Sequence, residues 1–495
     1  MAVDTPPASP PATETSSWDR WFHLSARGST NERELRGGLV TFFTMAYIVV
    51  LNPLIIGTAK DVNGNFVGGG TDVLKAIAMV TAATALCAGV VTILMGAIGR
   101  FPVALAAGLG INGVVAFSLA PHMTWADAMG LVVIEGIVIG LLVVTGVRTA
   151  VFNAVPEQLK YAIGVGIGLF ITIIGLVDSG IARPGIPLIT FGDNGALRGW
   201  PTFVFVFGLL LTSVLVARKV RGAILIGIVA STALSLLIEA IGHVGPHIGQ
   251  DGKVANPDGW SLNVPIWPSQ VVASPDFGLL GQFNLFGGFQ AIGFVAASLA
   301  VFSLMLSDFF DTMGTVFGLA HEGEILNEDG SVPHLGSILM VDSVAAAAGG
   351  IASVSSNTSY IESASGVGDG ARTGIASLMT GALFLVAMFF SPLVTMVPHE
   401  AATPALVVVG FLMMTQIRRI DFTDYEIAIP AFLTLTLMPF TYSITNGIGA
   451  GFVSYVVIKA ACGKSREVQP LMWAIAVAFI IYFAVDPIQQ VLGLA

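Results

Sequence analysis

Charge is what this sequence has least of. Asp, Glu, Lys and Arg make up 11% of the 495 residues, against 55% hydrophobic residues, which is under half the charged share usual in a soluble domain. A large soluble core accounts for one or two apolar runs. It does not account for runs that recur from about residue 39 to the C-terminus, each near the ~20 residues that cross a hydrocarbon layer as helix. Cysteine is nearly absent as well: Cys87 and Cys462 lie in or beside apolar segments, so no disulfide framework is implied. ATP hydrolysis has no machinery, because Gly463-Lys464-Ser465 has Ile at position 458, where a phosphate loop needs its first Gly. His243 and His247 have the i, i+4 spacing of metal ligands, but Pro246 breaks the helix between them. No His lies deep in a span, so an intramembrane enzyme has neither a nucleophile–base pair nor a metal set. The sequon Asn357-Thr358-Ser359 falls within a span and carries no glycan meaning. No metal, cofactor or nucleic acid is implied. Met1–Thr30, rich in Pro, Thr, Ser and Ala, has no apolar core of a signal peptide and reads as a disordered cytoplasmic tail.

What is present is a succession of apolar segments. They fall near 37–58, 76–98, 103–119, 127–146, 156–177, 201–217 and 222–242, then 289–319, 335–351, 352–367, 371–392, 403–416, 425–441 and 446–461, with a further stretch at 470–490. This predicts an all-α polytopic membrane protein of about fourteen spans. Its parts are a tail (1–30), a first seven-span repeat (31–242), an extracytoplasmic loop (243–288), a second repeat (289–465) and a C-terminal apolar segment (466–495). With a cytoplasmic N-terminus, sixteen of the 21 Lys and Arg fall inside. Lys60, Lys75, Arg183, Arg198 and Lys253 fall outside, a bias that follows the positive-inside rule. A plasma (inner) membrane location is the expectation. Val155-Pro156 opens the fifth span and Val397-Pro398 precedes the twelfth. Seven spans separate them, an odd number, so the halves are inverted. Inverted repeats with broken helices at matching positions are common in secondary transporters. The short, irregular third and tenth spans, at 106–113 and 353–362, fit that pattern, and 58 glycines suit close helix packing.

Acids stand out within the spans: Asp308, Asp311, Asp342 and Glu362. A charge at mid-bilayer costs about 2.5–3.5 kcal/mol on insertion scales, so such residues face a cavity or a partner. No Lys or Arg lies deep in a span to neutralise them, and Arg372 sits at a span end. Carboxyl groups so placed are suited to exchange protons. Asp308 and Asp311, three apart, share a helix face. Glu362 follows Tyr360 in a polar run, Asp342 begins an apolar run and can also cap its helix, and Asn112 lies between Gly110 and Gly113.

The stretch Asn31–Pro53 (NERELRGGLVTFFTMAYIVVLNP), with Ala107–Asn112, Asp308–Thr315, Thr358–Ala364 and Gly370–Gly374, resembles the adenine/guanine/hypoxanthine permeases, the AzgA-like branch of the nucleobase–ascorbate transporters. The resemblance runs from about residue 31 to 465. Gly113 and Ala371 depart from it, where Ala and Gly respectively are expected. It implies two inverted seven-span repeats arranged as a core and a gate domain, with short strands in the third and tenth spans. By position, it implies that Asp311, Glu362 and Asn112 bind substrate, with Tyr360 and Ser363 flanking, and that Asp342 supports the site. Asp308, an acid without a basic partner on the same face as Asp311, is read with Asp342 as support or proton coupling. The function implied is import of guanine, hypoxanthine and/or adenine by proton symport. The alternatives are a xanthine/uracil permease or an anion carrier of the same architecture. The expected partners are the purine, the proton, the lipid bilayer and, among proteins, a second copy of the chain in a homodimer.

Overall fold

Pro and side-chain caps set many of the helix boundaries. The computed structural model describes residues 16–146, 154–185, 188–192, 195–247, 254–328 and 331–484. Asp72 caps the helix Val73–Leu94 by accepting from the amides of Leu74 and Lys75. Thr124 and Asp127 form a reciprocal capping box at the start of Trp125–Thr145. Pro156 and Pro398 stand at the N-caps of Glu157–Asp178 and His399–Met414, so the two Val-Pro pairs open structurally matching helices. Among the described residues, ten helices are long and apolar enough to cross a membrane. Four more apolar helices are shorter: Leu109–His122, Leu335–Ile351, Tyr425–Thr441 and Pro470–Phe483.

The helices pack in two groups. One contains Asn31–Met45, Val73–Leu94, Trp125–Thr145, Phe294–Glu322, Leu335–Ile351 and Gly374–Ala387. The other contains Glu157–Asp178, Gly199–Ala217, Ala223–Gly242, His399–Met414, Tyr425–Thr441 and Ile444–Ala461. Two short strands in the first group, β1 (Leu105–Ala107) and, in the second half of the chain, Asn357–Ser359, pair antiparallel with Ala106 opposite Thr358. Each is followed by a short helix, Leu109–Gly113 after the first and Ile361–Ser363 running into Ala364–Gly368 after the second. The third and tenth spans therefore meet head to head in the interior, where two broken helices leave backbone groups near one point.

Residues 16–30 differ from the tail expected there. Ser16 caps a helix, Ser17–Phe22. Trp21 donates to the Ala97 carbonyl at 3.0 Å and lies 3.7 Å beneath the Arg100 guanidinium. Composition averaged over thirty residues hid the Trp18, Trp21 and Phe22 cluster, which is enough to pin this segment to the protein. Residues 1–15, Arg148, Lys253 and 485–495 lie outside the described residues.

The two helix groups touch at both ends of the crossing. Where Phe117 and Ser118 end the third span, Tyr442 packs edge-on against Phe117 and Phe170, with centroids 6.0 and 5.5 Å apart. Ser118 Oγ donates to the Tyr442 carbonyl at 3.2 Å. Toward the opposite face, Asp369 accepts from Arg36 at 2.5 Å and from Arg221 at 2.7 Å, the latter in the loop before Ala223–Gly242. The Arg221 hydrogen bond, with Arg36 beside it, holds the Asp369 carboxyl below its ordinary pKa.

Gly113 has a reason in this contact. A Cβ there would lie 2.9 Å from Phe170 Cε1 and 3.5 Å from Ile174 Cδ1, so Ala requires the ring to shift. Gly113→Ala is expected to slow initial uptake about two- to fivefold through overpacking, and Phe170→Leu in the same chain to restore it. Uptake rates of the single and double variants check this. A double variant no faster than Gly113→Ala would remove the steric account.

Candidate functional site

Glu362 lies in the first turn after the second crossing strand. Its Oε1 accepts a hydrogen bond from Tyr47 Oη, and its carbonyl accepts from Thr44 Oγ1 at 3.3 Å. Both donors come from the first span, which breaks between Asn31–Met45 and Ile48–Ile56 and so turns Tyr47 inward. Asp311, half-buried on Phe294–Glu322, makes no hydrogen bond among the described residues and lies within electrostatic reach of Glu362 and Asp342. Two carboxylates thus lie within electrostatic reach of each other beside a broken helix.

Behind them lies a buried polar layer. Asp342 Oδ1 accepts from Thr312 Oγ1 at 2.7 Å and Ser359 Oγ at 3.2 Å, and Thr312 reaches Thr358 at 3.1 Å. Asp308 is wholly buried, and neither carboxylate oxygen has a hydrogen-bond partner among the described residues. The pair differs in exposure: Asp308 is wholly buried and Asp311 half-buried. A further buried acid, Glu135, accepts from Ser356 Oγ at 3.3 Å and lies within electrostatic reach of Asp342 and Asp308. The sequence reading missed it, although it is the only charge within the apolar run 128–145.

Asn112 is fully buried on the short helix after β1, and its Nδ2 donates to Asn52 Oδ1 at 2.7 Å. Tyr360 and Ser363, grouped above with the ligand contacts, have their polar atoms committed elsewhere. Tyr360 Oη donates to the Ala107 carbonyl at 2.6 Å, and Ser363 Oγ accepts from the Ala104 amide at 3.1 Å. These bonds tie the chain after the second crossing strand to the first. Glu34, near the start of the first span, accepts from Ser29 Oγ and from the amides of Arg372 and Thr373. Among the described residues no group of three or more His, Cys, Asp or Glu is placed to hold a metal ion.

The profile of the permease family matches residues 32–450, from the first span through the last long helix pair. The chain belongs to that family. The guanine/hypoxanthine permease PbuG of Bacillus subtilis is 35% identical over 94% of this chain and 98% of its own length. The adenine permease AdeP of Escherichia coli is 34% identical over 94% of this chain and 95% of its own. In fold, the permease resembles the transmembrane domain of the cyanobacterial bicarbonate transporter BicA, with a TM-score of 0.56 at 14% identity over 87% of this chain and 97% of that one. The anion transporter SLC26A9 is similar to the same degree, TM-score 0.56 at 12% identity over 93% of this chain and 73% of that one. This is a multi-pass membrane transporter and not an enzyme.

Proposed function

We propose that this permease imports purine nucleobases (guanine, hypoxanthine or adenine) together with protons, and that Asp311, Glu362 and Asn112 hold the base between the two short helices. The observation that supports the reading is the pair Asp311 and Glu362, within electrostatic reach of each other, with no basic side chain bonded to either among the described residues. A purine is flat, with N–H groups on its edges that a carboxylate accepts, and half-helix ends can meet the remaining atoms. An anion is disfavoured by the same two acids, even though the fold is shared with anion transporters. Asp342, joined to the crossing strand through Thr312, Thr358 and Ser359, and the buried Asp308 within its electrostatic reach, would carry the coupled proton or support the site. The N-terminus is cytoplasmic in this reading, since the Lys- and Arg-rich loops then face inward.

Uptake of labelled hypoxanthine in a host strain lacking its own purine permeases tests the substrate. Competition by unlabelled guanine, hypoxanthine or adenine, with uracil ineffective, is the expected result. Labelled hypoxanthine that does not enter above the level of the empty host, or whose uptake uracil blocks as well as the purines do, would overturn it.

A further inference from the structure

Asn52, on Ile48–Ile56, has no place in the reading so far, yet it is fully buried and all its polar atoms are engaged. Its Nδ2 donates to Thr84 Oγ1 at 2.7 Å and to the Val354 carbonyl at 3.2 Å, while its Oδ1 accepts from Asn112 Nδ2 at 2.7 Å. The Val354 carbonyl lies in the irregular lead-in to the second crossing strand, between Ser353 and Ser355, both with positive φ (56° and 73°). A carbonyl oxygen only accepts, so it dictates which end of the Asn52 amide faces it. Turned over, Asn52 would set oxygen against oxygen at Val354 and NH₂ against NH₂ at Asn112. The sense of the first amide therefore fixes the second. Asn112 must turn its NH₂ toward Asn52, and its Oδ1 is left buried with no hydrogen-bond partner among the described residues.

We propose that Asn52 is a positioning residue that locks Asn112 as a hydrogen-bond acceptor, and so selects purines that offer an N–H, rather than a carbonyl, to the third span. The inference rests on the purine reading above and sharpens it. With Asp311 and Glu362, the three side chains assigned to the base all accept. Guanine and xanthine make the contrast, because they have nearly the same shape but carry an amino group and a carbonyl respectively at C2. A buried acceptor facing a carbonyl leaves both unpaired, which is how a polar site rejects an isostere.

The test is displacement of labelled hypoxanthine from the purified full chain by guanine and by xanthine, at a mildly acidic pH where both bases are neutral. The parent is expected to favour guanine by about tenfold or more. In Asn52→Leu, Asn112 is free to turn over, and the guanine-to-xanthine ratio is expected to fall about fivefold or more, with xanthine binding unchanged or tighter. In Asn52→Asp a protonated carboxyl can donate to the Val354 carbonyl, accept from Asn112 on its other oxygen and take a hydrogen bond from the Thr84 hydroxyl, so the ratio is expected to stay near the parent's. If Asn52→Leu does not fold, Asn52→Ala removes the same bonds without added volume and is read in the same way. A ratio unchanged in Asn52→Leu or Asn52→Ala, or both bases weakened in proportion, overturns the inference, as does a parent indifferent to the two bases. A parent that binds uracil but no purine overturns the purine reading itself, which separates the two failures.

Discussion

Glu362→Gln and Asp311→Asn are each expected to abolish measurable purine binding. In Glu362 one oxygen is engaged by Tyr47 Oη. A glutamine keeps its oxygen there and presents NH₂ where the purine N–H arrives, donor against donor. Asp311 makes no hydrogen bond among the described residues, so its lone pairs are available, and Asn removes both the charge and one acceptor. Losing a charged acceptor costs roughly 1.5–3 kcal/mol, or about ten- to a hundredfold in affinity. A donor clash adds to that loss. Asp342→Asn is expected to behave differently. Its Oδ1 accepts from Thr312 and Ser359, and an amide oxygen can keep both bonds, so coupling should weaken more than binding. Calorimetric titration of the purified variants with guanine, hypoxanthine and adenine checks all three. Near-normal affinity in Glu362→Gln or Asp311→Asn would take that residue out of the site.

A disulfide between positions 118 and 442 is expected to stop transport. Ser118 belongs to the helix group that carries the crossing strands and Tyr442 to the other, and the two meet where Tyr442 packs edge-on against Phe117 and Phe170. If the base moves by sliding one group past the other, a covalent link there holds it still. The hydroxyl-to-carbonyl contact of 3.2 Å puts the backbones near the span, under about 7 Å between Cα atoms, that a disulfide bridges. In a Cys462→Ser background, with Cys87 buried, the pair Ser118→Cys and Tyr442→Cys should lose uptake on oxidation and regain it on reduction. Complete cross-linking with undiminished uptake would show that this motion is not needed.

Much of the scaffold was legible because a bilayer penalises exceptions. Asp308, Asp311, Asp342 and Glu362 stood out against apolar neighbours, and the matching Val-Pro pairs marked the start of corresponding helices. The two short strands came from the family resemblance, since three-residue strands carry no periodicity to read, and their pairing with each other emerged only in the structure. Tyr47 and Asn52 escaped notice because neither breaks a hydropathy pattern, and their meaning lies in partners far along the chain. Tyr47 meets Glu362, and Asn52 meets Val354 and Asn112. Glu135 was visible as a lone charge and was overlooked. For Tyr360 and Ser363 the family motif gave the position beside Glu362 but not their bonds to the Ala107 carbonyl and the Ala104 amide, whose partners lie far along the chain.

The most direct test of coupled transport uses the purified protein in sealed proteoliposomes with labelled hypoxanthine and an imposed pH gradient. With the outside acidic, the base should accumulate inside above its external concentration, without ATP or sodium, and an uncoupler should collapse the accumulation. Uptake that only equilibrates and ignores the pH gradient, or accumulation that follows a sodium gradient instead, would contradict proton-coupled purine transport.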